Sequence, residues 1–528
     1  MADKHVPVLI AGGGSVGLAT ALFLADRGVP PLVVEAQAGP STHPRATGLG
    51  SRTMEMLRAL GLQDAVNAVS VDMVGAGLGK TYAYSLAATD FGAMPVVAPA
   101  RKAWGKDEVS PGRTRGTCPQ HRLDSVLLPA ARERGATLRY STRLASLTQD
   151  ADGVHAVLDS GETVHADYLI GADGLRSTVR TAAGIGVSGP GPLGKPMVSM
   201  LFRADLTPYL AGRQFVTCNI DNPGVTGMMV TVDGEKEWIL HVTAAEEKVF
   251  PEARCLELIR AAIGDDTAEV ELVSVLPWRP RGFLATAFRS GRVFLVGDAA
   301  HAIPPIGAFG LNTGFADAHN LAWKLAAVAH GQAGPALLDT YAAEREPVVR
   351  MTFEQALLRS ADARLHWDDS PETVAERIAK GVLNAPVVHL GYRYNSAAVI
   401  GAIPDLPSTE DVSLTLDGTP GSRLPHRWIE QAGRTVSTLD LIGPLFTLFA
   451  ADEHWARAGE QLENLTVRRI PVDDAAWIGS LGITAQGAML VRPDQVVAWR
   501  TTESATHPAE ELARLLNRLC AQPDPRHG

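Results

Sequence analysis

Val6-Pro7-Val8-Leu9-Ile10-Ala11-Gly12-Gly13-Gly14-Ser15-Val16-Gly17 is followed, eighteen residues after Gly17, by Glu35. Val6–Ala11 is a short apolar run of the kind that forms a buried parallel strand. Ser15–Arg27 has helical character, Gly28 sits where a helix-terminating glycine belongs, and Pro31–Val34 reads as a second strand. Strand, turn, helix and strand within about 30 residues make a βαβ unit. The glycines fit GxGxxG: Gly12 permits the tight turn, Gly14 lets a pyrophosphate approach the backbone, and Gly17 lets the helix pack against the strand. The phosphates would rest on the N–H groups of Ser15 and Val16, where the helix dipole favours anions. Glu35, with Ala36 beside it, would meet ribose hydroxyls. A glycine turn beside an unrelated strand-end glutamate is the alternative.

The same stretch bears on membranes. Val6 to Ala25 is a run of 20 uncharged residues, long enough to span a bilayer. Three consecutive glycines break it, and no basic region precedes an uninterrupted apolar core, so it reads neither as a span nor as a signal peptide.

Outward from this unit, Arg52–Leu60 reads as a helix, and Tyr168–Ile170 and Val293–Val296 as further apolar strands, each running into a Gly/Asp turn. Between those strands, Met197–Phe202, Gln214–Ile220, Gly227–Val232 and Trp238–Val242 are strand-like runs separated by Gly, Pro, Asn and Asp. That pattern predicts an inserted, mostly antiparallel sheet. Asn320–Ala329 returns to a helical pattern. Pro404–Pro407 and Pro420–Pro425 read as a linker, ahead of a small α/β unit with strands at Leu445–Phe449, Met489–Val491 and Val496–Trp499 and a helix at Glu510–Leu519.

A length of 528 residues suggests about three domains. The expected division is residues 1–180 and 277–400 for the dinucleotide domain and its connecting helices, 181–276 for the inserted sheet, and 401–528 for the tail. The net charge of −10 argues against nucleic acid, whose phosphates need clustered Lys and Arg. Cys118, Cys218, Cys255 and Cys520 form no CxxC pair and no metal-ligand spacing, so they read as reduced, structural thiols of a cytoplasmic protein that holds no metal.

Two distant segments decide which dinucleotide is bound. One is Tyr168-Leu169-Ile170-Gly171-Ala172-Asp173-Gly174-Leu175-Arg176-Ser177-Thr178-Val179-Arg180. The other runs from Gly291 through Gly297-Asp298-Ala299-Ala300-His301 and Pro304-Pro305 to Gly310-Leu311-Asn312-Thr313-Gly314. The three motifs, in this order and spacing, resemble those of the group A aromatic-ring flavoprotein monooxygenases, the class of para-hydroxybenzoate hydroxylase, over residues 5 to about 350. The resemblance implies FAD as the cofactor and NADPH or NADH as the reductant. It places Asp298 on the ribityl chain, and Pro305 and the backbone of Gly310, Leu311 and Asn312 at the edge of the flavin ring. It puts Asp173 and Gly174 against FAD, Arg45 near it, and Gln120 and Arg122 in the segment covering the flavin. The alternatives are that Asp298 is only a helix N-cap, that Asp173 merely caps the Ser177–Arg180 turn, and that Arg45 and Arg122 are surface arginines. His301 fits support of its loop better than chemistry, and the catalytic residues stay unassigned. Many relatives have Gly-Gly-Gln-Gly where this chain has Gly307-Ala308-Phe309-Gly310, which predicts a bulkier, less polar loop beside the ring.

Within the class, three segments in the C-terminal part of the chain resemble hydroxylases of aromatic polyketides, the tailoring enzymes of anthracyclines and angucyclines. They are Leu390–Ser396, Gly421–His426 with Ser437–Leu441, and Val491–Arg500. The implied fold is α/β: a Rossmann-like FAD domain, an inserted β-sheet substrate domain and a thioredoxin-like C-terminal domain. With Cys520 alone, that last domain would be structural or an oligomer contact. The implied reaction consumes NAD(P)H and O2, passes through a C4a-hydroperoxyflavin and hydroxylates a small phenolic substrate. Ring insertion or epoxidation on the same scaffold, and a non-catalytic FAD-binding accessory protein, are the alternatives. Met228, Trp238 and His241 are substrate-side candidates by location alone. Alternate residues of a strand face opposite sides, so such a set mixes two faces.

Overall fold

The computed structural model describes the chain except residues 1–3, 73–76, 97–108, 113, 115, 245–249, 369 and 523–528. Its central sheet has eight strands. Five of them run parallel, in the spatial order Val293–Leu295, Thr163–Gly171, Lys4–Ala11, Leu32–Val34, Thr137–Arg139. The helix Ser15–Asp26 packs between this sheet and the helix Phe309–Ala329, and almost every residue of it is buried. Burial on both sides explains why its sequence carries no polar stripe.

The parallel strands end in register. Ala11 pairs with Val34 on one side and Gly171 on the other, and Gly171 pairs with Leu295. The residues that follow, Gly12, Glu35, Ala172-Asp173 and Gly297-Asp298, therefore emerge along one edge of the sheet. Backbone bonds lock that edge: Gly12 N–H donates to Val34 O, Ala172 N–H to Ala11 O and Val296 N–H to Gly171 O.

The second sheet has six strands, ordered Glu271–Trp278, Met197–Arg203, Glu237–Thr243, Val225–Thr231, Thr217–Asn222, Lys80–Ala83. It is antiparallel apart from the last pairing. The strand Lys80–Ala83 comes from within the residues expected to belong to the first domain, and Glu271–Trp278 overruns the expected boundary at 276. The helix Glu252–Ile263 covers one face, burying Met200, Phe202, Trp238, Leu240 and Val242. A three-stranded sheet, Val187–Pro192, Arg281–Ala285 and His301–Ala302, joins the two parts.

The tail has four strands in the order Leu465–Arg469, Phe446–Ala450, Ala488–Val491, Val497–Thr501. The first pairing is parallel and the others antiparallel, with helices Glu453–Gly459, Ala475–Ser480 and Pro508–Leu519 interleaved, which is the thioredoxin-like order. One expectation fails here. Pro420–Pro425 is no linker: Gly421, Ser422 and Leu424 pair with Val497 and Gln495, and the segment is buried. The helix expected over Asn320–Ala329 begins eleven residues earlier, at Phe309.

Candidate active site

The glycine turn behaves as its spacing requires. Gly12 has φ +108°, and a Cβ there would lie 2.3 Å from Ala172 O. A Cβ on Gly17 would lie 2.0 Å from Gly12 O, whereas one on Gly14 would meet nothing within 4 Å. The chain is thus closed behind Gly12 and Gly17 and open in front of Gly14, where a pyrophosphate would approach. No side chain caps the helix that starts at Ser15, so its first N–H groups remain available. The Ser15 hydroxyl donates to the buried Asp124 carboxylate. Burial pushes the Asp124 pKa up to about 6, against the pull of that bond. Val16 packs its methyls on Gly297 and Gly314, wedging this helix against the third motif. Glu35 accepts from Gly13 N–H at 2.7 Å and Gln37 N–H at 2.8 Å, which holds its carboxylate at the strand end beside the exposed Ala36.

Asp173 accepts from Ser177 Oγ at 2.5 Å and Val179 N–H at 3.0 Å, so its side chain closes the turn into Thr178–Ala182. Burial pushes its pKa up, and these bonds pull it back. Its backbone nitrogen lies against Gly12, and Gly174 turns with φ +76°. Arg180 ties the second motif to the third, donating to Ala299 O at 2.7 Å while its guanidinium lies 4.9 Å from the Phe283 ring centroid.

Asp298 follows Gly297 in a short 3-10 turn. It is solvent-exposed, yet protein surrounds it closely, the combination that marks a cleft floor. That surrounding pushes its carboxyl pKa up, while His301 and Arg45 draw it down. Among the described residues its carboxylate makes no hydrogen bond. Arg45 is likewise exposed. Gln120 N–H donates to Ala46 O at 2.8 Å, binding its helix to the Arg45 loop. Arg122 lies 3.7 Å from Glu237 and 3.9 Å from Asp233, reaching toward the second sheet.

Past Ala302 the chain carries Pro305 at the surface and then enters the helix Phe309–Ala329, whose N-terminus no side chain caps. Gly310 and Leu311 are half-buried in its first turn. Asn312 does more than offer backbone: its amide donates to Gly48 O at 3.1 Å and Ala308 O at 2.7 Å. Its oxygen accepts from Gly50 N–H at 2.8 Å and Thr53 Oγ at 2.7 Å. The expected bulky loop is corrected here. Phe309 is fully buried among Val387, Val388 and Leu390, and only Ala308, at φ +54°, is exposed. His301 is buried with Nε2 2.7 Å from Asp317, which also accepts from Gly297 N–H and from Arg345. Burial works against the Asp317 charge, but Arg345 and His301 outweigh it and hold its pKa below the usual range. His301 supports the loop.

The two faces of the second sheet sort the substrate-side candidates. Met228 and His241 are cross-strand partners, and His241 also faces Ser199. Together with Leu201, Val230, Ile239, Ser274, Leu276 and Trp278 they lie on the face turned away from the covering helix. His43, two residues before Arg45, reaches that face and meets Ser274. Trp238 is a correction: it is 1% exposed on the opposite face, where its indole N–H donates to Ala204 O at 3.2 Å. Strand alternation puts Trp238 and its neighbour Ile239 on different sides. Sequence reasoning missed Arg180, Asp317, Ser199, Ser274, Trp278 and His43. The alternation i±2 from His241 reaches only Ile239 and Thr243 of its own strand; Ser199, Ser274 and Trp278 lie on other strands, whose register the sequence does not show.

The open phosphate turn, the uncapped helix ends and the unpaired Asp298 carboxylate all suit a bound FAD. The FAD binding domain family model matches residues 5–356, and the Aromatic-ring hydroxylase, C-terminal model matches 417–523. The chain is 40% identical to the tetracenomycin B2 monooxygenase-dioxygenase of Streptomyces olivaceus, over 98% of this chain and 99% of that protein. A ternary complex of aklavinone-11 hydroxylase with FAD and aklavinone superposes with a TM-score of 0.84 at 35% identity, covering 99% of this chain and 100% of the other. The flavin-dependent monooxygenase PieE, in complex with FAD and substrate, superposes with a TM-score of 0.85 at 33% identity and the same coverage. The chain belongs to the FAD-dependent aromatic-ring hydroxylases and is a flavin monooxygenase that uses NAD(P)H.

Proposed function

We propose that this monooxygenase hydroxylates a polycyclic phenol of the aromatic polyketide kind, with O2 as the oxidant. The observation that carries the reading is the presence of two surfaces: the strand-end motifs from Gly12 to Asp298, and the sheet face turned away from the helix Glu252–Ile263, which bears Ser199, Met228 and His241. That face combines apolar side chains with a few polar groups, as small-molecule sites do. The relatives named for tetracenomycin and aklavinone support the same substrate class.

Gly12, Gly14, Ser15, Val16, Gly17, Glu35 and Ala36 would hold the adenosine and phosphate half of FAD. Arg45, Gln120, Arg122, Asp173, Gly174, Asp298, Pro305 and Gly310–Asn312 would hold the ribityl and flavin half. Bound FAD supplies the redox and oxygen-transfer chemistry. The chain's own groups bind and orient. The N-terminus of Phe309–Ala329 offers N–H groups and a positive dipole end to anionic charge. Apolar Leu201, Val230 and Ile239 exclude water from the facing wall.

The test is NADPH oxidation by the FAD-loaded protein with a panel of monocyclic and polycyclic phenols, recording product masses. Acceleration by a polycyclic phenol, with gain of one oxygen atom, is expected. Acceleration by monocyclic phenols alone would overturn the substrate class.

A further inference from the structure

The sheet face turned away from the helix Glu252–Ile263 holds polar atoms that have no partner among the described residues. His43 is 9% exposed, and its Nδ1 lies 2.8 Å from Ser274 Oγ. Its Nε2 is buried without a partner among the described residues, as is the indole nitrogen of Trp278. His241 packs edge-on against Trp278, with ring centroids 5.9 Å apart, and its Nδ1 lies 2.6 Å from Ser199 Oγ. Each imidazole is thus anchored through Nδ1 by a serine on the same sheet face. A buried donor or acceptor left alone costs about 1–3 kcal/mol, and a ligand group that bonds to it recovers that cost.

The surroundings keep both rings uncharged near neutral pH. Burial pushes His43 down to about 4, with Arg45 and His121 adding to the effect. His121 is itself lowered by burial and by Arg122, against Glu237. Burial and His43 push His241 down to about 4. A neutral imidazole whose Nδ1–H donates to a serine oxygen presents Nε2 as an acceptor.

We propose that His43 is a specificity-determining residue: its unpartnered Nε2 accepts a hydrogen bond from the substrate's phenolic hydroxyl, with Ser274 fixing the ring and Trp278 beside it. This deepens the reading above and rests on it. No proton transfer is involved. A site built to bond a hydroxyl rejects the analogue lacking one, because the buried acceptor is then left unpaired.

The experiment compares 2-naphthol with naphthalene as ligands of the FAD-loaded protein, reading dissociation constants from the change in flavin absorbance without NADPH. Wild type should prefer 2-naphthol at least tenfold, which is about 1.4 kcal/mol. His43→Ala should lose that preference while keeping its affinity for naphthalene and its FAD, and His43→Gln should restore part of it. Ser274→Ala, which frees the ring to turn, should weaken the preference and serves if His43→Ala does not fold. A preference that survives in His43→Ala, or that is absent from wild type although both rings perturb the flavin, overturns the proposal. If neither ring perturbs the wild-type flavin, the aromatic-site reading fails and the proposal with it.

Discussion

Gly17 shows how narrow the tolerance of this site is at the scale of one residue. A single added methyl would stand 2.0 Å from Gly12 O, inside contact distance and against backbone that cannot rotate away. Gly17→Ala should cost about 3 kcal/mol, the upper end of ordinary overpacking. Thermal melting should show the loss, and the purified protein should be depleted of flavin colour. His43 and His241 make a different residue-scale prediction. Their folded pKa values, about 4, lie below the unfolded value of about 6.5. Between those two values the unfolded chain binds more protons, so stability falls as pH drops from about 6.5 to about 4 and levels off below. Urea unfolding across that window should give a flatter pH dependence in His241→Gln than in wild type. An unchanged slope would mean that His241 is as accessible folded as unfolded.

At the scale of elements, the helix Phe309–Ala329 spans about 30 Å and connects the parts of the site. Asn312 in its first turn pins the Gly48–Gly50 loop and the start of Ser51–Ala59 with three hydrogen bonds, and a fourth ties it to Ala308 O at the start of its own helix. Asn312→Ala should cost about 1–3 kcal/mol, and should speed FAD release measured by recovery of free-flavin fluorescence. The sequence pattern showed only the later part of this helix. Its first residues, Phe309-Gly310-Leu311-Asn312-Thr313-Gly314, carry two glycines and read as a loop, yet burial against Val16, Val387 and Val388 overrides that weak local preference. The same override turns Phe309 away from the cleft. The strand Lys80–Ala83 was invisible for a related reason: four residues have little pattern of their own, and its partner Thr217–Asn222 lies far along the chain.

Across the whole molecule, the thioredoxin-like tail is held by buried charges rather than by a linker. Arg492 grips Glu344 through both guanidinium nitrogens, at 2.5 and 2.9 Å, and reaches Asp494 at 2.5 Å. Lys324 lies 2.7 Å from Glu344, and Arg52 donates to Asp494 O and Gln495. Burial opposes a charged Glu344, but Arg492 and Lys324 outweigh it and hold its pKa far below the usual range. Glu344→Gln leaves two buried cations short of their counter-ion and should cost about 3–5 kcal/mol. Urea unfolding should show a lower midpoint, and proteolysis should cut between the tail and the body. A variant as stable as wild type would mean that the latch contributes nothing net.

What the sequence determined by itself was chemistry carried by contiguous residues: the phosphate turn, the Gly/Asp turns, the absence of a CxxC in the tail, and from these the family and the cofactor. Those features are local because a tight turn and a strand end are set by a few adjacent residues. Only the tertiary structure decided which side chains share a face. The in-register ends of the parallel strands bring Gly12, Glu35, Asp173 and Asp298 to one edge. The pairing of Met197–Arg203 with two distant strands puts His241 and Ser274 on the face turned away from the helix Glu252–Ile263 and Trp238 beneath that helix. A one-residue slip of register would exchange those faces without changing a single letter of the chain, because side chains alternate along a strand.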